Sequence, residues 1–139
     1  MHIVIDLQGA QSSGSRNRGI GNYSEALALN LARLARGKHR VSLILNATFV
    51  DTFDPIRQAF DGLVADADFH IWRPLVPCHA YDPANAWRRD VSEALYSAFV
   101  STLNADALLV TSLFDGHGDN AISALAWRRG VAAHCGGPV

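Results

Sequence analysis

Four short runs of β-branched and apolar residues punctuate the chain: HIVIDL at the start, VSLIL at 41–45, FHIW at 69–72 and ALLV at 107–110. Stretches with helical spacing separate them. That alternation constrains the fold more than any other feature. Strands alternating with helices predict a parallel sheet with helices on both faces, wound right-handedly. HIVIDL is apolar on successive positions rather than alternate ones, as expected of a parallel strand buried on both faces.

Between the first two strands, a polar loop over residues 8–19 leads into a helix from about 21 to 36. Leu27, Leu31 and Leu34 recur there at spacings of four and three, with alanines between them. They predict one apolar stripe, and Gly37 ends the helix. Residues 54–64 suit a short helix, with Asp54 as its cap and Pro55 at the first helical position. Residues 73–84 hold three of the five prolines and read as a loop. From residue 85 to about 103, Val91, Leu95, Phe99 and Thr102 share a helical face, with Trp87 a turn earlier. Asp115-Gly116-His117-Gly118 reads as a turn, and Asp119 can cap a last short helix, 120–127.

The order is therefore β-α-β-α-β-α-β-α. The fold class is α/β, a Rossmann-like open parallel sheet with helices on both faces. After Arg129, the stretch GVAAHCGGPV carries no strong strand or helix signature. Doubly wound sheets commonly have five or six strands, so four leave the unit looking short. We therefore expect residues 1–128 to form one domain, 129–139 to be a divergent or truncated tail, and the chain to be a piece of a larger protein. A small complete domain with a flexible tail is the alternative.

Composition narrows the function classes. At 139 residues, 49% hydrophobic and 18% charged, the chain reads as globular and large enough to bury a core. A net charge of −1 supplies no general affinity for nucleic acid, which needs many Lys and Arg contacts to phosphate. Cys78 and Cys135 belong to no CxxC or Cys/His cluster, and the six histidines show no HxxxH or HxH spacing, so no metal or other cofactor is expected. Such a cysteine pair suits two buried thiols in a reducing compartment. MHIVIDL has no basic start and no small-residue cleavage site, and no apolar run approaches the ~20 residues that span a bilayer. The expected location is cytoplasmic.

The most informative short motif is RNRGIGNYS, which runs into the first helix. Backbone N–H groups at a helix N-terminus point outward unpaired, and the dipole favours an anion there. Glycine lets that backbone approach a ligand with no side chain between. Gly19 and Gly21 sit at such a junction, with Arg16 and Arg18 adding positive charge. A dinucleotide site is a poor match. About a dozen residues separate Leu7 from Gly19, Ser24 stands where a third glycine should be, and Asn46 occupies the region of the ribose-binding acid. The glycines can equally do no more than shape the loop.

Taken together, IVIDLQGAQ, SRNRGIGNYS with its helix, and LLVTSLFDGHGDN resemble the N-terminal half of family 4 glycosyltransferases of the GT-B fold. The subset they most resemble is the bacterial mannosyltransferase-like enzymes of surface polysaccharide assembly, over residues 1 to about 128. The resemblance implies two Rossmann-like domains facing across a cleft, the N-terminal one binding the acceptor and the other a nucleotide-diphosphate sugar. It implies that Gly19, Ile20 and Gly21, flanked by Arg18 and Asn22, face the donor diphosphate. It places Asp115, Gly116, His117 and Asp119 in a second cleft-facing turn similar to Phe-Glu-Gly-x-x-Asp; His117 is either an acid/base there or an exposed turn residue, and nothing in the matched turn makes a histidine catalytic. It also implies a glycan or lipid-linked acceptor. The tail departs from the family pattern from about Gly130, as a frameshift or early stop would make it. On this reading the 139 residues alone are inactive.

Several residues keep two readings. Asp6, which ends the first strand beside Gln8 near the cleft, can bind a sugar hydroxyl or a loop backbone amide. The basic group Arg33, Arg36, Lys38, His39 and Arg40 either favours a helix C-terminus or meets anionic lipid headgroups at a membrane periphery. Trp87-Arg88-Arg89 and Trp127-Arg128-Arg129 fit buried aromatics beside solvated charges better than nucleic-acid stacking platforms. Two functional alternatives stand beside the transferase domain. One is a non-catalytic binding or homo-oligomerising module, and the other is a small independent nucleotide-binding α/β protein.

Overall fold

A computed structural model describes residues 1–11, 16–73, 86–110 and 133–135. Five strands form one all-parallel sheet: β1 (His2–Asp6), β2 (Arg40–Asn46), β3 (Phe69–Trp72), β4 (Ala107–Val110) and β5 (Ala133–Cys135). Their order is β3-β2-β1-β4-β5. Three helices connect them: α1 (Gly19–Ala35), α2 (Phe53–Ala59) and α3 (Ala86–Ser101).

The strands are buried on both faces because both faces carry helices. Ile5, Val41, Leu43 and Leu45 pack into one cluster with residues of α1 and α2. Val4, Ile44, Leu108 and Val110 point the other way, into a second cluster with Tyr96 and Val100 of α3. Successive side chains of a strand point to opposite faces, which is why continuous apolar runs such as HIVID and VSLIL serve both layers.

Three helical details differ from the expectations. α1 begins at Gly19, two residues early, and its buried face is not the leucine stripe. Gly21, Ser24, Ala28, Ala32 and Ala35 are buried, Leu27 and Leu31 are half-buried, and Leu34 is 73% exposed. Small residues let the helix axis come close to the sheet, and their spacing of three and four continues over the whole helix. The exit matches the reading, since Gly37 takes a left-handed φ of +74° just past the C-cap Arg36.

α2 covers only Phe53–Ala59 and follows a kinked 3₁₀ segment, Ala47–Thr52. Asp54 lies inside its first turn rather than capping it, and the cap position is Thr52. On α3, the predicted face is rotated by about one residue. Tyr96 and Val100 are buried and Phe99 and Leu103 partly so, while Leu95 is 44% exposed and Thr102 is exposed. The buried hydroxyl of Tyr96 has a partner on the sheet, described below, which fixes the rotation.

β5 is the clearest difference. It lies inside the stretch read as signature-free and pairs parallel with β4, Leu108 opposite Ala133. A three-residue edge strand carries too short a pattern to be recognised; the exposed ladder of β4 selects it. The predicted helix 120–127 and the predicted proline-rich loop, beyond Arg73, lie outside the described residues.

Candidate functional site

In an open parallel sheet, ligands bind outside the carboxyl ends of the strands where the strand order reverses. Here the chain fills the order to one side of β1 (β2, β3) and then to the other (β4, β5), so the switch point lies between β1 and β4. The segments leaving these two strands are residues 7–18 and the stretch from 111 onward. They are the two segments singled out by sequence. Asp115, Gly116, His117 and Asp119 lie outside the described residues.

At the end of β1, Asp6 is 2% exposed. Its Oδ1 accepts from the backbone N–H of Gln8 at 3.1 Å, and Oδ2 accepts from Gln8 Nε2 at 2.9 Å. Tyr96, reaching from α3, donates its hydroxyl to the same Oδ2 at 2.5 Å. Three donors among the described residues converge on its two oxygens, which suits a carboxylate, an acceptor only. Of its two readings, Asp6 takes the loop-backbone bond.

The network continues sideways. Gln8 Oε1 accepts from Asn46 Nδ2 at 2.9 Å, and Asn46 Oδ1 accepts from the Thr48 amide at 2.8 Å. Gln11 then does what a strand backbone would. Its Oε1 accepts from the Asn46 N–H at 2.6 Å, and its Nε2 donates to the Asn46 carbonyl at 3.3 Å. The β1 ladder has already ended, with Leu7 N–H donating to the Ile44 carbonyl at 3.0 Å. The side-chain amide of Gln11 replaces the missing peptide unit for the last residue of β2. Gln11 Nε2 also donates to Thr52 Oγ1 at 2.9 Å, and that hydroxyl donates to the Phe49 carbonyl at 2.7 Å. This explains why Thr52 does not cap α2.

The result is a buried polar floor joining the loop after β1, the loop after β2 and helix α3. Buried groups of this kind are stabilising only when fully paired, and these are. At the surface, Arg16 pairs with Asp51 at 2.8 Å across the same two loops. Sequence reasoning missed Gln11, Thr52 and Tyr96 as site residues and used Asn46 only to exclude a ribose-binding acid. The legible signal was three amides, Gln8, Gln11 and Asn46, set at the ends of buried strands.

The loop after β1 leads on to the start of α1. Arg18 is its extended N-cap residue, makes no side-chain cap bond, and accepts the Asn22 N–H on its carbonyl at 3.1 Å. Arg18, Gly19 and Asn22 are exposed, whereas Gly21 is buried. Ile20 occupies the second helical position. No acidic residue stands in the first turn, so among the described residues of that turn no side chain neutralises the positive end of the helix. A Cβ built at Gly19 meets no atom within 4 Å, and Gly19 is not among the positive-φ glycines. Nothing described in the chain requires glycine at 19.

Two described groups have shifted titration: Asp68, just before β3, and His70, inside β3 and in register with Ile44. Burial alone would raise the Asp68 carboxyl. Hydrogen bonds from Arg40 and Ser42, with the charges of Arg40 and His2, outweigh it and hold it below its usual value. Burial lowers the His70 imidazole, whose Nε2 has no hydrogen-bond partner among the described residues. Among the described residues, no three His, Cys, Asp or Glu side chains are placed to hold a metal.

The strand order, the two-faced helix layers and the switch-point loops define a Rossmann-like domain of the kind glycosyltransferases of the GT-B fold are built from. The solved structure of MurG from Acinetobacter baumannii, a GT-B fold, superposes on 96% of this chain with a TM-score of 0.55 at 14% identity, using 34% of its own length. The chain is 32% identical over 121 residues, 86% of its length, to the serotype-specific mannosyltransferase WbdA of Escherichia coli. A second Escherichia coli WbdA sequence is 27% identical over 85 residues. The chain is homologous to part of a glycosyltransferase. It spans 14% and 10% of the length of these two relatives. No protein-family model matches it.

Proposed function

We propose that residues 1–128 form the acceptor-side domain of a sugar transferase. Its donor is a nucleotide-diphosphate sugar and its acceptor a glycan or lipid-linked glycan of surface polysaccharide synthesis, used in the cytoplasm. The observation that carries this reading is the match to a mannosyltransferase over 86% of the chain. The switch-point geometry supports it. The strand β5 in the tail closes the edge of the same sheet.

In this reading the start of α1 faces the donor diphosphate. First-turn amides at Gly19, Ile20 and Gly21, of which Gly19 is the exposed one and Gly21 lies deeper, act with the helix dipole and the Arg18 guanidinium to stabilise the charge that gathers on the leaving diphosphate. Asn22 flanks them as a polar contact. Asp6 and Gln8 act from below as positioning residues, because their polar atoms are already engaged with each other, Tyr96 and Asn46. The turn Asp115, Gly116, His117 and Asp119, following β4, supplies the acceptor side of the same cleft.

A domain of this kind supplies one wall of the cleft, and transfer also needs a donor-binding domain. Calorimetric titration of the 139-residue chain with nucleotide-diphosphate sugars is expected to show weak binding and no turnover. Robust sugar transfer by that chain alone would overturn the reading.

A further inference from the structure

We propose that Asp61-Gly62 is a self-modification site, where the folded chain converts aspartate to isoaspartate and so becomes a substrate for an isoaspartyl carboxyl methyltransferase. The rearrangement needs an aspartate whose carboxyl carbon can meet the next backbone nitrogen. The usual obstacles are a side chain on the following residue, a partner on the carboxyl, a hydrogen bond on the amide, and burial. Among the described residues, all of them are absent here.

Asp61 is the one described aspartate followed by glycine. Gly62 has a φ of +71°, which L side chains rarely adopt, so the turn between α2 and β3 itself requires the glycine. A Cβ built on Gly62 meets no atom within 4 Å, which leaves its backbone open to approach, and both residues are exposed. The neighbouring amides are engaged. The Asp61 N–H donates to the Gln58 carbonyl at 3.3 Å, and those of Leu63 and Val64 donate to the Phe60 carbonyl at 2.9 and 3.1 Å. The Gly62 N–H has no partner among the described residues, and neither does the Asp61 carboxyl. Arg57, a helical turn earlier, lies instead over the Phe69 ring, 5.1 Å from its centroid.

Other aspartates contrast with it. Asp51 pairs with Arg16 and Asp68 with Arg40. Asp6 is buried under its donors, and Asp106 accepts the His2 amide at 2.6 Å. Asp54 precedes a proline, which has no N–H. Asp66 is exposed but precedes Ala67, so it serves as an internal control.

The chemistry is balanced without any oxidant or reductant. The Gly62 nitrogen bonds to the Asp61 carboxyl carbon to give a cyclic imide, and the carboxyl OH leaves as water with the amide hydrogen. Water then opens the imide. Where it breaks the bond between the Gly62 nitrogen and the former main-chain carbonyl carbon, the chain runs on through the side-chain carbon. The water lost is regained and the mass is unchanged. The product carries an extra main-chain carbon between the core residues Phe60 and Val64, together with a free α-carboxyl. The methyltransferase esterifies that carboxyl, breaking the methyl–sulfur bond of S-adenosylmethionine as the methyl–oxygen bond forms.

Ageing the 139-residue chain at neutral pH tests the proposal. Isoaspartate is read by methyl incorporation from labelled S-adenosylmethionine with a purified isoaspartyl methyltransferase, and located by electron-transfer fragmentation of tryptic peptides. Asp61 falls in the peptide 58–88. The other Asp-Gly pair, Asp115-Gly116, lies outside the described residues and falls in 90–128, so the two are read apart. The native chain should form isoaspartate at position 61 within about tenfold of its rate in guanidinium chloride, because an open turn needs no unfolding. If the whole domain had to unfold first, the native rate would be at least ~1000-fold lower. Asp61→Glu, which needs a larger ring, should remove the signal from that peptide, and Asp61→Asn should raise it, with circular dichroism confirming that both variants fold. A native rate more than about tenfold below the denatured one overturns the proposal. So does isoaspartate formed as fast at Asp66 as at Asp61, or a signal in 58–88 undiminished by Asp61→Glu. None of these measurements uses a sugar donor, so this site and the transferase reading fail separately.

Discussion

Tyr96→Phe removes the hydroxyl that donates to Asp6 in the buried floor. The hydroxyl of Tyr96 is deleted while its ring keeps its edge contact with Trp72, centroids 5.2 Å apart, and its tilted contact with Phe99 at 6.2 Å. Tyr96 is 1% exposed and Asp6 2%, so water does not replace the lost donor. A hydrogen bond to a charged group contributes about 1.5–3 kcal/mol net. Asp6 keeps two donors from Gln8, which softens the loss. The expected destabilisation is about 2 kcal/mol, or ~30-fold in the folding equilibrium. For a domain of this size that lowers Tm by about 5–10 °C. Urea titration followed by far-ultraviolet circular dichroism measures it, with an unchanged m-value showing that the same surface unfolds. In an Asp6→Asn background the same change should cost no more than about 1 kcal/mol, because the acceptor is then neutral. A loss below about 0.5 kcal/mol in the native background would mean the bond does not carry the coupling between α3 and β1, and the floor would not be one network.

Gly19→Ala should leave thermal stability unchanged or slightly raised, since the added methyl meets nothing and alanine is the better helix former; donor affinity of an active transferase carrying this domain should fall, and unchanged affinity would remove the loop from the donor site. Ala28→Leu should destabilise by about 1–3 kcal/mol by overpacking the face of α1 against the sheet, whereas Leu34→Ala should stay within about 0.5 kcal/mol by denaturant titration. Stability should also fall on acidification in two windows. The folded His70 imidazole binds its proton less tightly than the unfolded one, so stability is lost as pH drops below about 6.5, and His70→Gln should flatten that part of the profile. The folded Asp68 carboxyl sits below its usual value, so its contribution is complete above about 3.8 and is lost as pH falls below it toward the folded value; Arg40→Gln should weaken that acid-side loss, read by urea titrations across the range.

The strand runs were legible because a parallel sheet covered on both faces demands unbroken apolar stretches, and His2–Asp6, Phe69–Trp72 and Ala107–Val110 comply. The left-handed exit of α1 at Gly37 was legible for local reasons, since glycine answers to backbone geometry within a few residues. The faces of the helices were not. Leucines 27, 31 and 34 form a stripe of the right period, but the sheet admits the alanine stripe beside it, and only the distance between helix and sheet decides between them. Tyr96 likewise turns inward because Asp6, 90 positions away, waits at the end of β1.

By itself, then, the sequence determined the α/β class, the strand order's raw material and the motif that relates this chain to sugar transferases, because each is written in local pattern. Tertiary structure alone decided which loops share a switch point, that Gln11 stands in for a strand backbone, and that AHC becomes a fifth strand. It also set the basic end of α1 and the exposed Leu34 at the edge opposite the glycine loop. Those are facts about distances between residues far apart in the chain, and no local pattern records them.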